Sequence, residues 1–140
     1  MLPMTSLGTE FKGQHAWDEQ VAAAGGHVLQ SWAWGEFKSR HGWRATRLLW
    51  QEGEQIVAAA SVLKRKVPRL PLTILYVPKG PALDWADAGL AGRVLQDLGS
   101  LARRERALFV KVDPDVYYPG GAPGFSPRPA RAVEIARVLE

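Results

Sequence analysis

The residues with the types and spacing for chemistry fall in a few short stretches of this 140-residue chain. One runs Ser31-Trp32-Ala33-Trp34-Gly35-Glu36-Phe37-Lys38, followed by Gly42-Trp43. It is aromatic with a single cation on its polar edge. Taken by itself, Lys38 reads as a solvated surface lysine, and a helix carrying Trp32, Trp34 and Phe37 is expected to bury most of them against a sheet. A second stretch, Tyr76-Val77-Pro78-Lys79-Gly80-Pro81, lies where a strand meets a loop. Its prolines remove backbone donors, so it makes a poor nest for a pyrophosphate. Asp113 ends an apolar run and precedes Pro114; such a carboxylate can take a proton from an amine, or can simply form an Asp-Pro turn.

Two basic clusters remain: Lys64-Arg65-Lys66 with Arg69, and Arg103-Arg104 with Arg106. Either can contact phosphates. The second sits at an expected helix C-terminus, where cations are favoured in any case. His15, His27 and His41 have no metal-ligand spacing, so no metal site is expected. The absence of cysteine excludes disulfides, cysteine-ligated zinc and a thiol nucleophile together.

With 46% hydrophobic residues the chain can build a real core, and its length suits one ordinary domain. The net charge of +4 favours polyanionic partners such as RNA, phosphorylated precursors or an anionic membrane face. Met1 to Glu10 lacks the basic and then apolar pattern of a signal peptide, and the longest largely apolar stretch, Ile56 to Leu63, is too short to span a bilayer. A soluble cytoplasmic protein is expected.

The elements that must position these residues follow from local patterns. Trp17 to Ala24 reads as a short helix ended by Gly25-Gly26. Ser31 is an N-cap for a second helix to about His41, with Trp34, Phe37 and His41 on one face. Gly35 costs that helix about 1 kcal/mol against alanine, which points to a close approach there. Trp43 to Gln51 and Gln55 to Lys66 read as a hairpin, and Leu72 to Val77 as a third strand. Asp84 is expected to cap a long helix with a stripe of Leu90, Val94, Leu98 and Leu101. Ala107 to Val112 reads as a central strand, and Ser126-Pro127 as the start of a last helix with no stop before Glu140. The order is helix, helix, three strands, helix, strand, helix. It is an α/β pattern with a mixed sheet, like that of the GCN5-related acetyltransferases. The boundaries are an N-terminal extension over 1–16 and one domain over 17–140, expected to be a fragment incomplete at its C-terminus.

Three stretches, Leu29 to Lys38 with Gly42-Trp43, Tyr76 to Pro81, and Phe109 to Asp115, resemble the first of the two acetyltransferase-like domains of the FemABX family of peptidoglycan-bridge aminoacyltransferases. The resemblance implies transfer of an amino acid from aminoacyl-tRNA to the stem peptide of a UDP-linked or lipid-linked muropeptide precursor, with possible peripheral contact at the inner membrane face. The donor ester is already activated, so no cofactor is implied. By resemblance Lys38 contacts the precursor's phosphates or sugar, with Trp34, Tyr76 and Lys79 beside it. Trp32, Trp34 and Trp43 can form a wall for a sugar or uracil. Asp113 is the catalytic candidate, and Lys64, Arg65, Lys66 and Arg69 are candidates for tRNA contact. A CoA-dependent N-acyltransferase and a non-catalytic module that binds precursor or RNA remain as alternatives.

Overall fold

The computed structural model describes residues 9–10, 13–115 and 133–136. Helix α1 spans Gln14–Ala23. It stops where Gly25 N–H donates to Ala22 and Gly26 N–H to Val21, the paired bonds that satisfy a helix's last carbonyls. A single 3-10 turn, Val28–Gln30, leads to helix α2, Trp32–Ser39. The start of α2 is fixed twice. Ser31 Oγ accepts from Trp34 N–H at 3.3 Å, and Asp18 of α1 reaches across to accept from Trp32 N–H at 2.8 Å.

Strand β1 (Thr9–Glu10) pairs with the edge of β2 (Arg44–Glu52), which forms a tight hairpin with β3 (Gln55–Lys66). Strand β4 (Thr73–Val77) pairs antiparallel with the end of β3 at Leu63–Lys66, and β5 (Ala82–Leu83) pairs with β3 at Ala58 and Ala59. Helix α3 (Ala88–Arg104) crosses over to β6 (Ala107–Val112), which lies parallel to β4. The result is the mixed sheet flanked by helices that the order of elements predicts.

Two expectations need correction. The cap of α3 is Asp87, whose Oδ1 accepts from Leu90 N–H at 3.0 Å. Asp84 instead accepts from Ala86 N–H in the preceding turn; an Asp suits either task, and the packing of Leu90 against the sheet decides which one caps. The last helix is not formed over Val133–Ala136, which is strand β7, paired antiparallel with β6. The unpaired edge of β6 offers backbone partners that outweigh local helix preference. Ser126-Pro127 itself lies outside the described residues.

Strand alternation sends β3 residues to opposite faces. Ala58, Ala60 and Val62 join the main core with Leu48, Trp50, Leu75, Val77, Val110, Val112 and the expected α3 stripe of Leu90, Val94, Leu98 and Leu101. On the other face Ala59 and Leu49 pack with Trp17 and Val21 of α1, with Trp32 and Ile56 at the margin. Helices α1 and α2 cover β2 and β3 on this second face, and the candidate site lies beside them.

Candidate functional site

The site is built outward from two buried polar side chains that the sequence did not single out. Arg47, on β2, is only 7% exposed. Its guanidinium lies 3.6 Å from the centre of the Trp32 ring, donates to Trp32 carbonyl at 3.1 Å, and meets Glu36 at 3.3 Å. Burial pulls its pKa below the ordinary arginine value, with Glu36 and Asp18 working in the opposite direction. Gly35 makes this possible. A Cβ there would come within 2.7 Å of Arg47 Nη2, so the glycine is the close approach that its place in the helix suggests. Helix α2 therefore sits on the sheet through Gly35, Arg47 and the Trp32 ring stacked on it, and not through Trp34 and Phe37. This corrects the expectation that most of the aromatics are buried: Gly35 is the buried residue of α2, Trp32 and Trp34 are half-buried, and Phe37 is 47% exposed.

Gln30 is the second support, fully buried. Strand β3 pairs with β2 at Ser61, but its other edge, taken by β5 at Ala59 and by β4 from Leu63, has no strand partner there. The Gln30 side-chain amide fills that gap as a peptide group would. Its Oε1 accepts from Ser61 N–H at 2.7 Å, and its Nε2 donates to Pro78 carbonyl at 2.6 Å and to Ser61 carbonyl at 3.4 Å. The Gln30 carbonyl also takes the Trp17 indole N–H at 2.8 Å. Gly80 lies flat against this amide; a Cβ on it would be 2.7 Å from the Gln30 carboxamide carbon. One residue thus ties α1, through its carbonyl, to β3 and the Pro78–Pro81 loop, through its side chain. A lone glutamine before a serine carries no sequence signal of that role. A buried arginine beside Leu48-Leu49-Trp50 carries a weak one.

With α2 so placed, Lys38 is framed by tryptophans. Its Nζ is 5.6 Å from the Trp34 ring centre and 5.5 Å from that of Trp43, and the guanidinium of Arg65 on β3 stands 5.7 Å from the same Trp43 ring centre. Trp34 stacks on Phe37 at 5.3 Å, and Phe37 meets His41 at 4.6 Å, so the expected shared face is formed. Each ring face attracts the ammonium, which fixes a long flexible side chain in a half-buried position.

A second group lies on the same face, one row along the sheet. Arg65 and Leu63 share that face by alternation, Leu63 is paired with Tyr76, and Tyr76 with Lys111. Lys111 Nζ stands 5.4 Å over the Tyr76 ring, so it faces its sheet neighbour. Beyond Tyr76, Lys79 and Asp113 form an ion pair at 3.9 Å, each about a quarter exposed. Asp113 N–H also bonds to Val77 carbonyl, which ties the end of β6 to the end of β4. Of the expected residues, Trp34 and Lys38 are thus in direct contact, as are Lys79 and Asp113, and Tyr76 stands between the two groups. Lys64 lies apart from both: its alternate position turns it to the α3 face, where Glu105 holds it at 2.5 Å. Among the described residues no group of His, Asp or Glu could hold a metal ion.

The Tyr76 hydroxyl has a pKa above the usual tyrosine value, because burial disfavours the phenolate and the Asp113 charge adds to the effect. The folded state therefore binds this proton more tightly than the unfolded chain. The linked stability is complete below the unfolded-state pKa and is lost as pH rises through the folded one. Tyr76→Phe is expected to flatten the fall of melting temperature between about pH 9 and 11 relative to the parent chain, read by thermal unfolding in matched buffers.

A mixed sheet of this topology, with α1 and α2 on one face and α3 on the other, is an acetyltransferase-like α/β module in its fold. The sequence profile of the FemAB family matches residues 7–121. The chain belongs to that family. It is 35% identical over 101 residues to a lipid II:glycine glycyltransferase of Staphylococcus saprophyticus, an overlap that covers 72% of this chain and 24% of the relative. It is 34% identical over 91 residues to the enzyme of the same description from Staphylococcus haemolyticus, covering 65% of this chain and 22% of the relative. A crystal structure of FemX superposes with a TM-score of 0.70 and 29% identity over 76% of this chain and 27% of that one. The chain thus spans about a quarter of the length of these relatives. Among the described residues no helix is long and apolar enough to cross a membrane.

Proposed function

We propose that this chain contributes the precursor-binding face of an aminoacyltransferase that builds peptidoglycan bridges, taking an amino acid from aminoacyl-tRNA and joining it to a muropeptide stem peptide. The observation that carries the reading is the placement of the Lys38 ammonium between Trp34 and Trp43, on the same sheet face as Tyr76, Lys79 and Asp113. The relatives named as lipid II:glycine glycyltransferases favour a lipid-linked acceptor over a soluble UDP-linked one, and glycine as the transferred residue. The reaction belongs in the cytoplasm, where charged tRNA is found.

In this reading Lys38 meets the acceptor's diphosphate as a point charge, and its aromatic frame holds it in place before substrate arrives. Tyr76, kept neutral by its environment, donates a hydrogen bond to the substrate. Lys79 orients the Asp113 carboxylate. The stem-peptide amine attacks the ester carbonyl of aminoacyl-tRNA; the C–N bond forms and the bond to the ribose oxygen breaks. Asp113 takes the proton lost by the amine and passes it to the departing ribose oxygen, which leaves as the hydroxyl. The loop after β4 supports an ester donor over CoA. Pro78 and Pro81 offer no N–H, the Gly80 N–H is used by Val77 carbonyl, and the loop leads into strand β5 and not into a helix N-terminus.

Lys38→Ala is expected to weaken precursor binding about 10-fold or more, in keeping with the loss of one charge-assisted contact, while stability falls by no more than about 1 kcal/mol. Calorimetric titration with a UDP-linked muropeptide, beside a thermal melt of each protein, makes the check. Unchanged precursor affinity in the variant would remove Lys38 from the site. A second measurement guards the class of reaction: acetyl-CoA is expected to leave the melting temperature unmoved.

A further inference from the structure

The two basic clusters, far apart in sequence, form one surface at the end of the molecule where β3 turns into β4. Lys66 is paired in register with Thr73. Thr73 N–H donates to Arg106 carbonyl at 3.0 Å, and its hydroxyl donates to Glu105 carbonyl at 2.7 Å. The last turn of α3, with Arg103 and Arg104, is thereby held beside the β3–β4 turn that carries Arg69. Arg44 adds to the same end, since it sits opposite Lys64 across the hairpin. Glu105, the acid built into this end, is already engaged by Lys64. The opposite end of β3, roughly 36 Å away along the strand, carries Glu54 and Glu52, the latter paired with Arg93 at 2.6 Å, with Asp84 and Asp87 on the wall of a cavity shared with Gln55. The charge is therefore polarised along the sheet.

At the tip of the basic end stands an apolar residue. The β3–β4 turn closes through Val67 N–H to Leu72 carbonyl and Leu70 N–H to Val67 carbonyl, and Leu70 projects from it 53% exposed between Arg69 and Pro71. Arg69 itself adopts a positive φ of 65°, so this turn holds a defined shape. A leucine exposed on a tight turn, with Arg69 beside it and Lys66 at the start of the turn, suits an anionic lipid surface: the cations meet headgroups while the leucine enters the acyl boundary. RNA would use the same charges, but it gains little from an aliphatic side chain at the tip, since single strands are held by aromatic stacking. We infer that the Lys66–Leu72 turn, together with Arg103, Arg104 and Arg106, docks this protein on an anionic membrane surface.

Sedimentation of the full chain with vesicles of one part phosphatidylglycerol to three parts phosphatidylcholine tests this, and pure phosphatidylcholine vesicles serve as the comparison. The vesicles contain no cell-wall precursor, so the result is independent of the proposed transfer reaction. The protein is expected to partition onto the anionic vesicles alone and to come off as salt rises. Arg103→Ala with Arg104→Ala is expected to weaken partitioning about 25-fold, from about 5-fold for each charge lost near such a surface. Leu70→Ser, at a position more than half exposed, is expected to weaken it about 5-fold with little change in melting temperature. Absence of binding to anionic vesicles overturns the inference. So does normal vesicle binding by Leu70→Ser combined with loss of tRNA retention by the double arginine variant, which would make this end an RNA surface.

Discussion

Gln30→Leu is expected to lower the unfolding free energy by about 3 kcal/mol and the melting temperature by roughly 10 °C. The substitution nearly preserves volume, so the loss comes from hydrogen bonding. Leucine leaves Ser61 N–H and Pro78 carbonyl without their amide partner in a fully buried place. Each such orphaned group costs about 1–3 kcal/mol, more than the bond itself contributes on balance. The damage is not confined to stability. Gln30 spans the position where β3 changes partner from β4 to β5, so the Pro78–Pro81 loop and Lys79 lose their anchor. Gln30→Glu is a finer probe: it keeps the acceptor for Ser61 but places a carboxylate against Pro78 carbonyl, and it is expected to melt nearly as early at neutral pH. Chemical denaturation of the three proteins gives the comparison; parent-like stability of Gln30→Leu would mean the amide carries no weight.

Asp113→Asn is expected to slow aminoacyl transfer about 100-fold while precursor affinity changes by less than about 3-fold. Asparagine keeps the size of the side chain but cannot take the proton from the attacking amine. It also loses the charge that pairs with Lys79 at 3.9 Å. That pair is part-exposed, so its loss alters stability little. The measurement is single-turnover transfer of labelled amino acid from charged tRNA, beside equilibrium binding of the precursor, with the family's remaining portion supplied. An equal fall in rate and affinity would make Asp113 a structural turn residue, the role that its Asp-Pro sequence equally fits. Lys79→Met separates the two roles further. If Lys79 orients the carboxylate, its loss reduces the rate by less than the loss of Asp113 itself.

Much of the architecture is local in origin and so was readable from the chain. Ser31 caps α2 as expected, because a hydroxyl just before a helix finds its N–H partner within three residues. The hairpin of β2 and β3, the α3 stripe and the Ala107–Val112 strand depend on short-range periodicity in the same way. Gly35 pointed to a close approach, and Arg47 proves to be what approaches. The segment at Val133–Ala136 was misread because its conformation is set by the free edge of β6, a partner that its own sequence does not reveal.

The candidate residues divide along the same physical line. Their identities were fixed by sequence: an aromatic stretch ending in Lys38, a proline-bounded Lys79 and an Asp113 after an apolar strand. Their company was decided by packing between elements distant in the chain. Trp43, with Arg65 on its ring, reaches Lys38 only because Arg47 and Gly35 set the depth of α2, and Lys79 meets Asp113 only because β4 and β6 lie parallel. The two basic clusters likewise became one surface through a pair of hydrogen bonds from Thr73. Caps, stripes and turns act over a few residues, so the linear order contains them. Gln30 bonds to Ser61 and Pro78 across long stretches of chain, and such contacts exist only once the sheet has formed.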